Sequence, residues 1–196
     1  EEPDKIIEVL EDFFFAQKDL EKKKILITAG PTYEKIDPVR FIGNYSSGKM
    51  GFALAEACAE RGAEVTLVAG PVSLKTHHPA IKRIDVESAG EMYQAAMTAF
   101  PSSDAAILCA AVADYRPENA SGQKIKRETE GEMTLHLVPN PDIAASLGAI
   151  KREGQVMVGF ALETNDEWWG EFVDRHRQGG VVLTMRYLPN FPQAWS

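Results

Sequence analysis

The sequence predicts a three-layer α/β domain built on a mostly parallel sheet with an antiparallel addition. From Lys24 onwards, apolar runs of strand length alternate with amphipathic segments of helix length, as in sheets that helices cover on both faces. The chain has 196 residues, of which 44% are hydrophobic. This is enough to bury one substantial core and too little for two ordinary domains.

The predicted elements follow one another as such a sheet requires. The strand-length runs read KILITAG, EVTLVAG, RIDVE, DAAILCAAV and QVMVGFA, and the helix-length segments read GFALAEACAERG, AGEMYQAAMTAF and NPDIAASLGAIKREG. Continuous apolar runs are expected of parallel strands, because both of their faces are buried. Gly154 is placed to close the last helix. The segment EMTLHLV at residues 132–138 alternates apolar with polar residues and predicts the antiparallel strand.

The first 23 residues do not share this alternation. Apolar residues at helical spacing predict a short amphipathic helix over residues 4–15. The charged run QKDLEKKK that follows has no apolar period and is typical of a linker. We therefore expect residues 1–23 to be the tail of a preceding domain with its linker, and the α/β domain to begin at Lys24.

Composition excludes several classes of function. The formal net charge of −8 argues against a non-specific nucleic-acid surface, which needs clustered Lys and Arg with a positive balance. No apolar run approaches the ~18 residues that span a bilayer. Two distant cysteines, Cys58 and Cys109, give neither a metal spacing nor a disulfide framework, and the histidines show no metal spacing. We expect a cytoplasmic protein that binds neither nucleic acid nor membrane.

The segment GNYSSGKMG at residues 43–51 is the first candidate site. It fits the beginning of a phosphate-binding P-loop, but Met50 replaces the hydroxyl that would hold magnesium, and the preceding strand ends too early. A dinucleotide site is also disfavoured, because Gly70-Pro71 stands where an acidic residue would take the ribose hydroxyls. A P-loop enzyme and a nicotinamide-dependent reductase are therefore the weaker interpretations.

Two unusual loops follow predicted strands, at the sheet edge where ligands bind. The first runs from Gly30 to a helix that begins near Ser46 or Ser47, where an anion is favoured, although either serine is also explained as the helix N-cap. Within it, the Asn44 amide both donates and accepts hydrogen bonds, and the Arg40 guanidinium pairs with carboxylate or phosphate. These two side chains suit a polar substrate.

The second loop reads AAVADYRP. Its small residues would let a flat ring approach the backbone, and Asp114 follows them, although a turn carboxylate explains Asp114 equally well. Further on, KIKR places Lys124 and Lys126 on one face of an extended segment. Two such cations suit a polyphosphate, but a solvated surface accounts for them too. Cys109 is most simply a core residue.

Five segments together carry a specific likeness: ILITAGPTYEKIDPVRFIGNYSSGKMGFALAEA, AAVADYRP, KIKR, NPDI and GFALETND. In this order, over about residues 24–166, the sequence resembles bacterial phosphopantothenoylcysteine synthetases, the phosphopantothenate–cysteine ligases of coenzyme A biosynthesis. The resemblance implies a Rossmann-like domain that acts as a homodimer and is often fused behind a flavin-dependent decarboxylase. FMN would belong to that fused domain and would not bind here.

The resemblance also implies the chemistry. Members of the family use CTP with magnesium to join the carboxylate of 4′-phosphopantothenate to CMP, and pyrophosphate is released. L-cysteine then displaces CMP to form the amide. Turning a carboxylate oxygen into a phosphate leaving group divides one difficult step into two easier ones.

Residue roles are implied by matching positions within the shared motifs. Asn44 matches the residue that acts around the acyl-cytidylate and its attack by cysteine, and Lys124 matches a catalytic position that pairs with the triphosphate. The positions implied to bind CTP are Ala110, Ala111, Asp114, Lys124, Asn140, Pro141, Asp142 and Phe160. The implied substrate loop contains Arg40, Gly43, Asn44, Ser46 and Ser47. No residue of the chain is implied as a metal ligand.

Residues 167–196 depart from the family pattern. There the family carries a lysine-bearing helix that meets the nucleotide and a segment that forms the dimer, whereas this chain reads EWWGEFVDRHRQGGVVLTMRYLPNFPQAWS. We therefore expect a CTP-dependent ligase domain, over residues 24–166, whose activity is impaired by its C-terminal segment. The alternative is a nucleotide-binding or interaction module that keeps the fold without catalysis.

Overall fold

The computed structural model describes residue 5 and residues 18–126, 132–163 and 181–186. In chain order the elements are β1 (Lys24–Ala29), β2 (Tyr33–Lys35), β3 (Phe41–Gly43), α1 (Lys49–Glu60), β4 (Glu64–Ala69), β5 (Ile81–Asp85), α2 (Ala89–Ala99) with a 3₁₀ turn (Phe100–Ser102), β6 (Ala105–Leu108), β7 (Tyr115–Pro117), β8 (Leu137–Pro139), α3 (Ile143–Ile150), β9 (Val156–Glu163) and β10 (Val181–Arg186). None of the helices in these ranges is long and apolar enough to cross a bilayer.

Six strands form one central sheet in the order β5-β4-β1-β6-β9-β10, and every neighbouring pair is parallel. Numbered along the chain, this order is 3-2-1-4-5-6, which is the strand order of dinucleotide-binding doubly wound folds. The order reverses between β1 and β6, so the loops after these two strands open a crevice at the carboxyl edge of the sheet. The Rossmann-like prediction is confirmed.

Alternate residues of β1 face opposite layers, which explains why Ile25, Leu26 and Ile27 are consecutive apolar residues. Ile25 and Ile27 belong to a buried cluster that includes residues of α1, whereas Leu26 belongs to a second cluster with residues of α2 and α3. Gly51 brings α1 close to the sheet, because a Cβ at this position would lie 2.5 Å from the Cβ of Ala29. The core is therefore divided between the two faces of one sheet.

The antiparallel pairs lie outside the central sheet: β2 pairs with β3 inside the first long loop, and β7 pairs with β8. Of the strand predicted at residues 132–138, only residues 137 and 138 lie in a strand, β8, whose partner is β7. Residues 132–136 form no regular element. The free edge of β9 is occupied by β10, so the alternating segment does not join the main sheet there. Arg116 of β7 holds the short pair together by donating to the Pro139 carbonyl at 2.6 Å.

Both ends of the chain fall partly outside the described residues. The helix predicted over residues 4–15 is described at Lys5 alone, which is helical. The run predicted as a linker contacts the domain, because the guanidinium of Arg61 at the end of α1 pairs with Asp19. Within residues 167–196, β10 adds the sixth strand of the sheet, which the sequence analysis did not predict.

Candidate functional site

Two loops at the carboxyl ends of β1 and β6 form the candidate site. Residues 30–48 follow β1, and residues 109–114 follow β6. Main-chain hydrogen bonds join them: Ala111 N donates to the Gly30 carbonyl at 2.8 Å, and Thr32 N donates to the Ala111 carbonyl at 3.3 Å. The parallel pairing thus continues beyond the strands and fixes the floor of the crevice.

Three side chains secure the second loop. Thr32 is completely buried, and its hydroxyl accepts from Ala113 N at 2.9 Å. The Asn44 amide donates to the Val112 carbonyl at 3.0 Å, and the Asn140 amide donates to the Ala113 carbonyl at 2.8 Å. Side chains from three separate segments therefore hold two consecutive peptide units of the AAVA run.

Asn44 is exposed and follows β3 directly. Its position depends on Gly43, where a Cβ would lie 2.8 Å from the Thr32 carbonyl oxygen, so that glycine alone permits this close approach. An asparagine amide has two N–H donors and one oxygen acceptor. The contact with Val112 uses one donor, so a second donor and the oxygen remain for a ligand.

Arg40 is bound to Asp37, a residue that the sequence analysis did not identify. The Asp37 carboxylate is completely buried and accepts from Val39 N at 2.9 Å, from Arg40 N at 2.8 Å and from Arg40 Nε at 3.0 Å. The Arg40 guanidinium holds the pKa of Asp37 far below its usual range. Arg40 Nη2 also donates to the Ile125 carbonyl at 3.0 Å, so Arg40 joins the first loop to the segment that contains Lys124.

Lys124, Lys126 and Asp114 are exposed. None of the ion pairs among the described residues involves either lysine. In the same part of the chain, no hydrogen bond reaches the Asp114 carboxylate, although the Asp114 main-chain carbonyl accepts from Asn140 N at 2.7 Å. This geometry gives no support to the turn-carboxylate interpretation of Asp114.

The remaining predicted nucleotide positions lie around the same edge. Asn140 and Pro141 connect β8 to α3, and Asp142 caps α3 by accepting from Ala145 N at 2.8 Å. Phe160 is half-buried and lies one residue beyond the end of the pairing between β9 and β6. Phe160 therefore reaches the carboxyl edge beside the second loop, while Asp142 has a structural role as a cap.

The N-cap of α1 is Gly48, so the N-cap interpretation of Ser46 or Ser47 is wrong. Gly48 has a φ of 74°, in the left-handed region that glycine adopts without a steric penalty. The Ser46 hydroxyl accepts from Gly48 N at 3.3 Å, and the Ser47 hydroxyl accepts from Lys49 N at 3.5 Å. Both serines turn the chain before the helix starts.

Two clefts adjoin the site without coinciding with it. One, of about 690 Å³, lies between β2, α2 and β7, and the predicted nucleotide positions reach it through Asn140 and Pro141. The other, of about 600 Å³, lies beyond β4 and β5 and contains none of those positions. Two of the predicted CTP residues therefore line the first cleft, and none lines the second.

Cys109 directly follows β6, at this edge of the sheet. Burial raises the pKa of Cys109 to about 12, so this thiol stays protonated at neutral pH. Cys109 is half-buried and belongs to neither apolar cluster, so the structure does not bear out its interpretation as a core residue. Across the described residues, no group of three or more His, Cys, Asp or Glu is arranged to hold a metal ion.

Comparison with known proteins relates the chain to one family. The profile of the DNA/pantothenate metabolism flavoprotein C-terminal domain matches residues 20–171. The coenzyme A biosynthesis bifunctional protein CoaBC of Vibrio parahaemolyticus is 55% identical over 166 residues, which cover 84% of this chain and 41% of that protein. CoaBC of Escherichia coli K12 is 50% identical over 167 residues, with the same coverage. A protein named cysteine/cysteine sulfinic acid decarboxylase, from an unknown prokaryotic organism, is 54% identical over 170 residues, or 85% of this chain and 47% of its own length.

The chain spans less than half the length of these curated relatives. Among solved structures, the C-terminal domain of CoaBC superposes with a TM-score of 0.72 at 40% identity, over 86% of this chain and 79% of that one. A Cab2 mutant in complex with phosphopantothenate-cysteine superposes with a TM-score of 0.67 at 18% identity, over 94% and 79% of the two chains. At that identity the likeness to Cab2 supports the fold alone.

Proposed function

Because the chain belongs to the family of DNA/pantothenate metabolism flavoprotein C-terminal domains, we propose that it is a CTP-dependent phosphopantothenate–cysteine ligase. It would join 4′-phosphopantothenate to L-cysteine through an acyl-cytidylate and give phosphopantothenoylcysteine, CMP and pyrophosphate. The observation that carries the proposal is the joining of the loops after β1 and β6 by Asn44 and Thr32. These loops meet where the strand order reverses, which is where such sheets bind nucleotides.

In the first step, a carboxylate oxygen of phosphopantothenate attacks the α-phosphorus of CTP, and the bond to pyrophosphate breaks. Ala110 and Ala111 would leave room for the nucleotide against the second loop, and Asp114 would hold it by hydrogen bonds. Lys124 would stabilise the negative charge that develops on the departing pyrophosphate. The exposure of Lys124 and its lack of an ion pair within the described residues support this assignment.

In the second step, the cysteine amine attacks the acyl carbon and loses a proton to water, the bond to the phosphate oxygen breaks, and CMP leaves. The N–H group of Asn44 that is not bound to Val112 would donate to the acyl oxygen as charge develops on it. Magnesium would neutralise part of the triphosphate charge when bound, and we assign no protein ligand to it.

Exposed apolar side chains on the first loop support the further proposal of a homodimer. Val39, Phe41 and Tyr45 have exposed fractions of 61%, 51% and 108%. A second copy that covers this surface would remove it from water and bring another chain close to Asn44. The bifunctional relatives support a fused decarboxylase, which would hold FMN, in a longer protein.

A non-catalytic nucleotide-binding module is the second candidate. It is favoured by one observation: the family match ends at residue 171, so residues 172–196 lie outside it. In that case CTP would bind, but turnover would be absent.

Thermal unfolding with CTP, ATP and NADPH tests the nucleotide site, and pyrophosphate release tests catalysis. A ligand that binds only the folded chain stabilises the fold by about 2.7 kcal/mol when its concentration is about 100 times its Kd. A site that binds CTP more tightly than ATP should therefore show a larger increase in Tm with CTP at the same concentration. Equal shifts with all three nucleotides would exclude a cytidine site. Multiple turnovers of pyrophosphate that depend on phosphopantothenate and cysteine would distinguish a ligase from the non-catalytic module.

A further inference from the structure

The Asp37 carboxylate connects two segments that lie 88 residues apart in sequence. Its Oδ1 accepts from Val39 N and Arg40 N and closes a local turn. Its Oδ2 accepts from Arg40 Nε at 3.0 Å and from Ile125 N at 3.1 Å. Arg40 therefore binds both oxygens of the carboxylate, whereas the distant partner, Ile125 N, binds Oδ2 alone.

Arg40 completes the distant contact. Its Nη2 donates to the Ile125 carbonyl at 3.0 Å, so both the N–H and the carbonyl of Ile125 are bound by the Asp37–Arg40 pair. The Asp37 side chain is completely buried, and 42% of the Arg40 side chain is exposed. Two charge-assisted hydrogen bonds on one residue fix the position and direction of its backbone.

Ile125 lies between two exposed cations, Lys124 and Lys126, neither of which takes part in an ion pair among the described residues. In an extended segment, residues on either side of a central residue share one face. Two like charges repel each other, and a free segment would lose conformational entropy when an anion ordered it. A fixed backbone reduces that cost before the anion arrives.

We propose that Asp37 is a positioning residue that holds the segment of Lys124 and Lys126 beside the first loop, so that both lysines meet the phosphates of the nucleotide. The identity of that nucleotide as CTP rests on the function proposed above. Asp37 itself does not touch the nucleotide. It acts through Arg40 and the Ile125 backbone.

The substitution Asp37→Asn should remove the contact with Ile125 and keep the local turn at Val39 and Arg40. The amide oxygen can keep the turn at Val39 N and Arg40 N, whereas the amide NH₂ then faces the Ile125 N–H and the guanidinium, donor against donor. We expect the Kd for CTP, measured by calorimetry at fixed salt, to rise about tenfold, as expected for the loss of a hydrogen bond to a charged group. Asp19→Asn is the matched control, since it breaks a carboxylate–guanidinium pair with Arg61 away from both loops and should leave the Kd unchanged.

A double-mutant cycle distinguishes positioning from general damage to the fold. If Asp37 acts through Lys124, then Asp37→Asn should weaken CTP binding much less in a Lys124→Gln background than in the wild-type chain. Full additivity, or an unchanged Kd in Asp37→Asn, would overturn the inference. If Asp37→Asn does not fold, Arg40→Gln replaces it, because this variant keeps the Asp37 carboxylate and its local turn, and the same cycle applies. A wild-type chain that binds no CTP would instead overturn the proposed function and the nucleotide role of Asp37 with it.

Discussion

The side-chain amide of Asn44 and the main-chain carbonyl of Val112 meet at 3.0 Å, and this hydrogen bond spans 68 residues of sequence. It ties the loop after β1 to the loop after β6, across the point where the strand order of the sheet reverses. One N–H of Asn44 is therefore used between the two loops, while the second N–H and the oxygen remain for the acyl-cytidylate of the proposed reaction. A substitution of Asn44 should therefore affect both the contact between the loops and the proposed reaction.

Replacement of Asn44 by Asp should slow the cysteine-dependent step far more than it weakens CTP binding. The carboxylate cannot donate to Val112 or to the acyl oxygen, and it repels the negatively charged acyl-cytidylate. Loss of one preorganised donor costs about 2.7 to 4 kcal/mol in the transition state, which is about 10²- to 10³-fold in rate. Mass spectrometry should detect accumulated acyl-cytidylate in this variant.

The exposed Asn119 provides the matched control, since Asn119→Asp makes the same charge change on the segment that follows β7. Its rates should equal those of the wild-type chain. Cysteine transfer at the normal rate in Asn44→Asp would remove Asn44 from the mechanism.

Thr32→Val should destabilise the fold through the second loop. Thr32 and Ala113 are buried, and the Thr32 hydroxyl accepts from Ala113 N at 2.9 Å. A valine leaves this N–H buried without an acceptor, which costs about 1–3 kcal/mol. The midpoint of urea unfolding should fall accordingly. Thr98→Val, which removes an exposed hydroxyl on α2, is the control, and an equally small change in both variants would show that the Thr32 contact adds no stability.

The stability contributed by Asp37 should be lost in acid. The Arg40 guanidinium lowers the pKa of Asp37 from its ordinary value of 3.8, so the folded chain binds this proton less readily than the unfolded chain does. The contribution is therefore complete above the unfolded pKa and declines as the pH falls below about 4 towards the folded pKa. Wild-type Tm should exceed that of Asp37→Asn at neutral pH, and the gap should narrow in acid.

The difference in Tm between the wild-type chain and Asp19→Asn should be small at every pH. About half of the Asp19 side chain is exposed, and surface ion pairs contribute little to stability. A gap for Asp37→Asn that stays constant from neutral pH down to strong acid would contradict the assignment of a lowered pKa to Asp37.

The central sheet was predictable because strands that are buried on both faces contain continuous apolar runs. Ile25, Leu26 and Ile27 of β1 alternate between two apolar clusters, so three consecutive residues are apolar. The short pairs gave weaker signals, since β2, β3, β7 and β8 each contain three residues. The strand β10 was missed because its neighbours in sequence do not continue the alternating pattern.

Local motifs indicated the loops of the candidate site, whereas the long-range contacts that hold these loops together could not be predicted. The loops after β1 and β6 could be chosen because they follow buried strands, and the structure joins them. Asp37 could not be identified, since an Asp before a Pro is a common turn sequence and its distant partner, the Ile125 N–H, belongs to the backbone. Thr32 could not be identified from the sequence either. Its hydroxyl accepts from Ala113 N, which lies 81 residues further along the chain, and no local pattern indicates that contact.

The segment of residues 167–196 should limit turnover rather than CTP binding. The resemblance places a lysine-bearing helix there, and this chain lacks its pattern although β10 completes the sheet. Each lost charged contact in a partly desolvated site costs on the order of 2 to 5 kcal/mol, so two losses would reduce the rate by several orders of magnitude. A chimaera that carries the matching segment of Escherichia coli CoaBC should therefore release pyrophosphate much faster than this chain, and Lys124→Gln in the chimaera should abolish the gain. Equal rates in the chain and the chimaera would show that the segment supplies the positive charge itself, with Arg175, Arg177 and Arg186 as the first residues to replace.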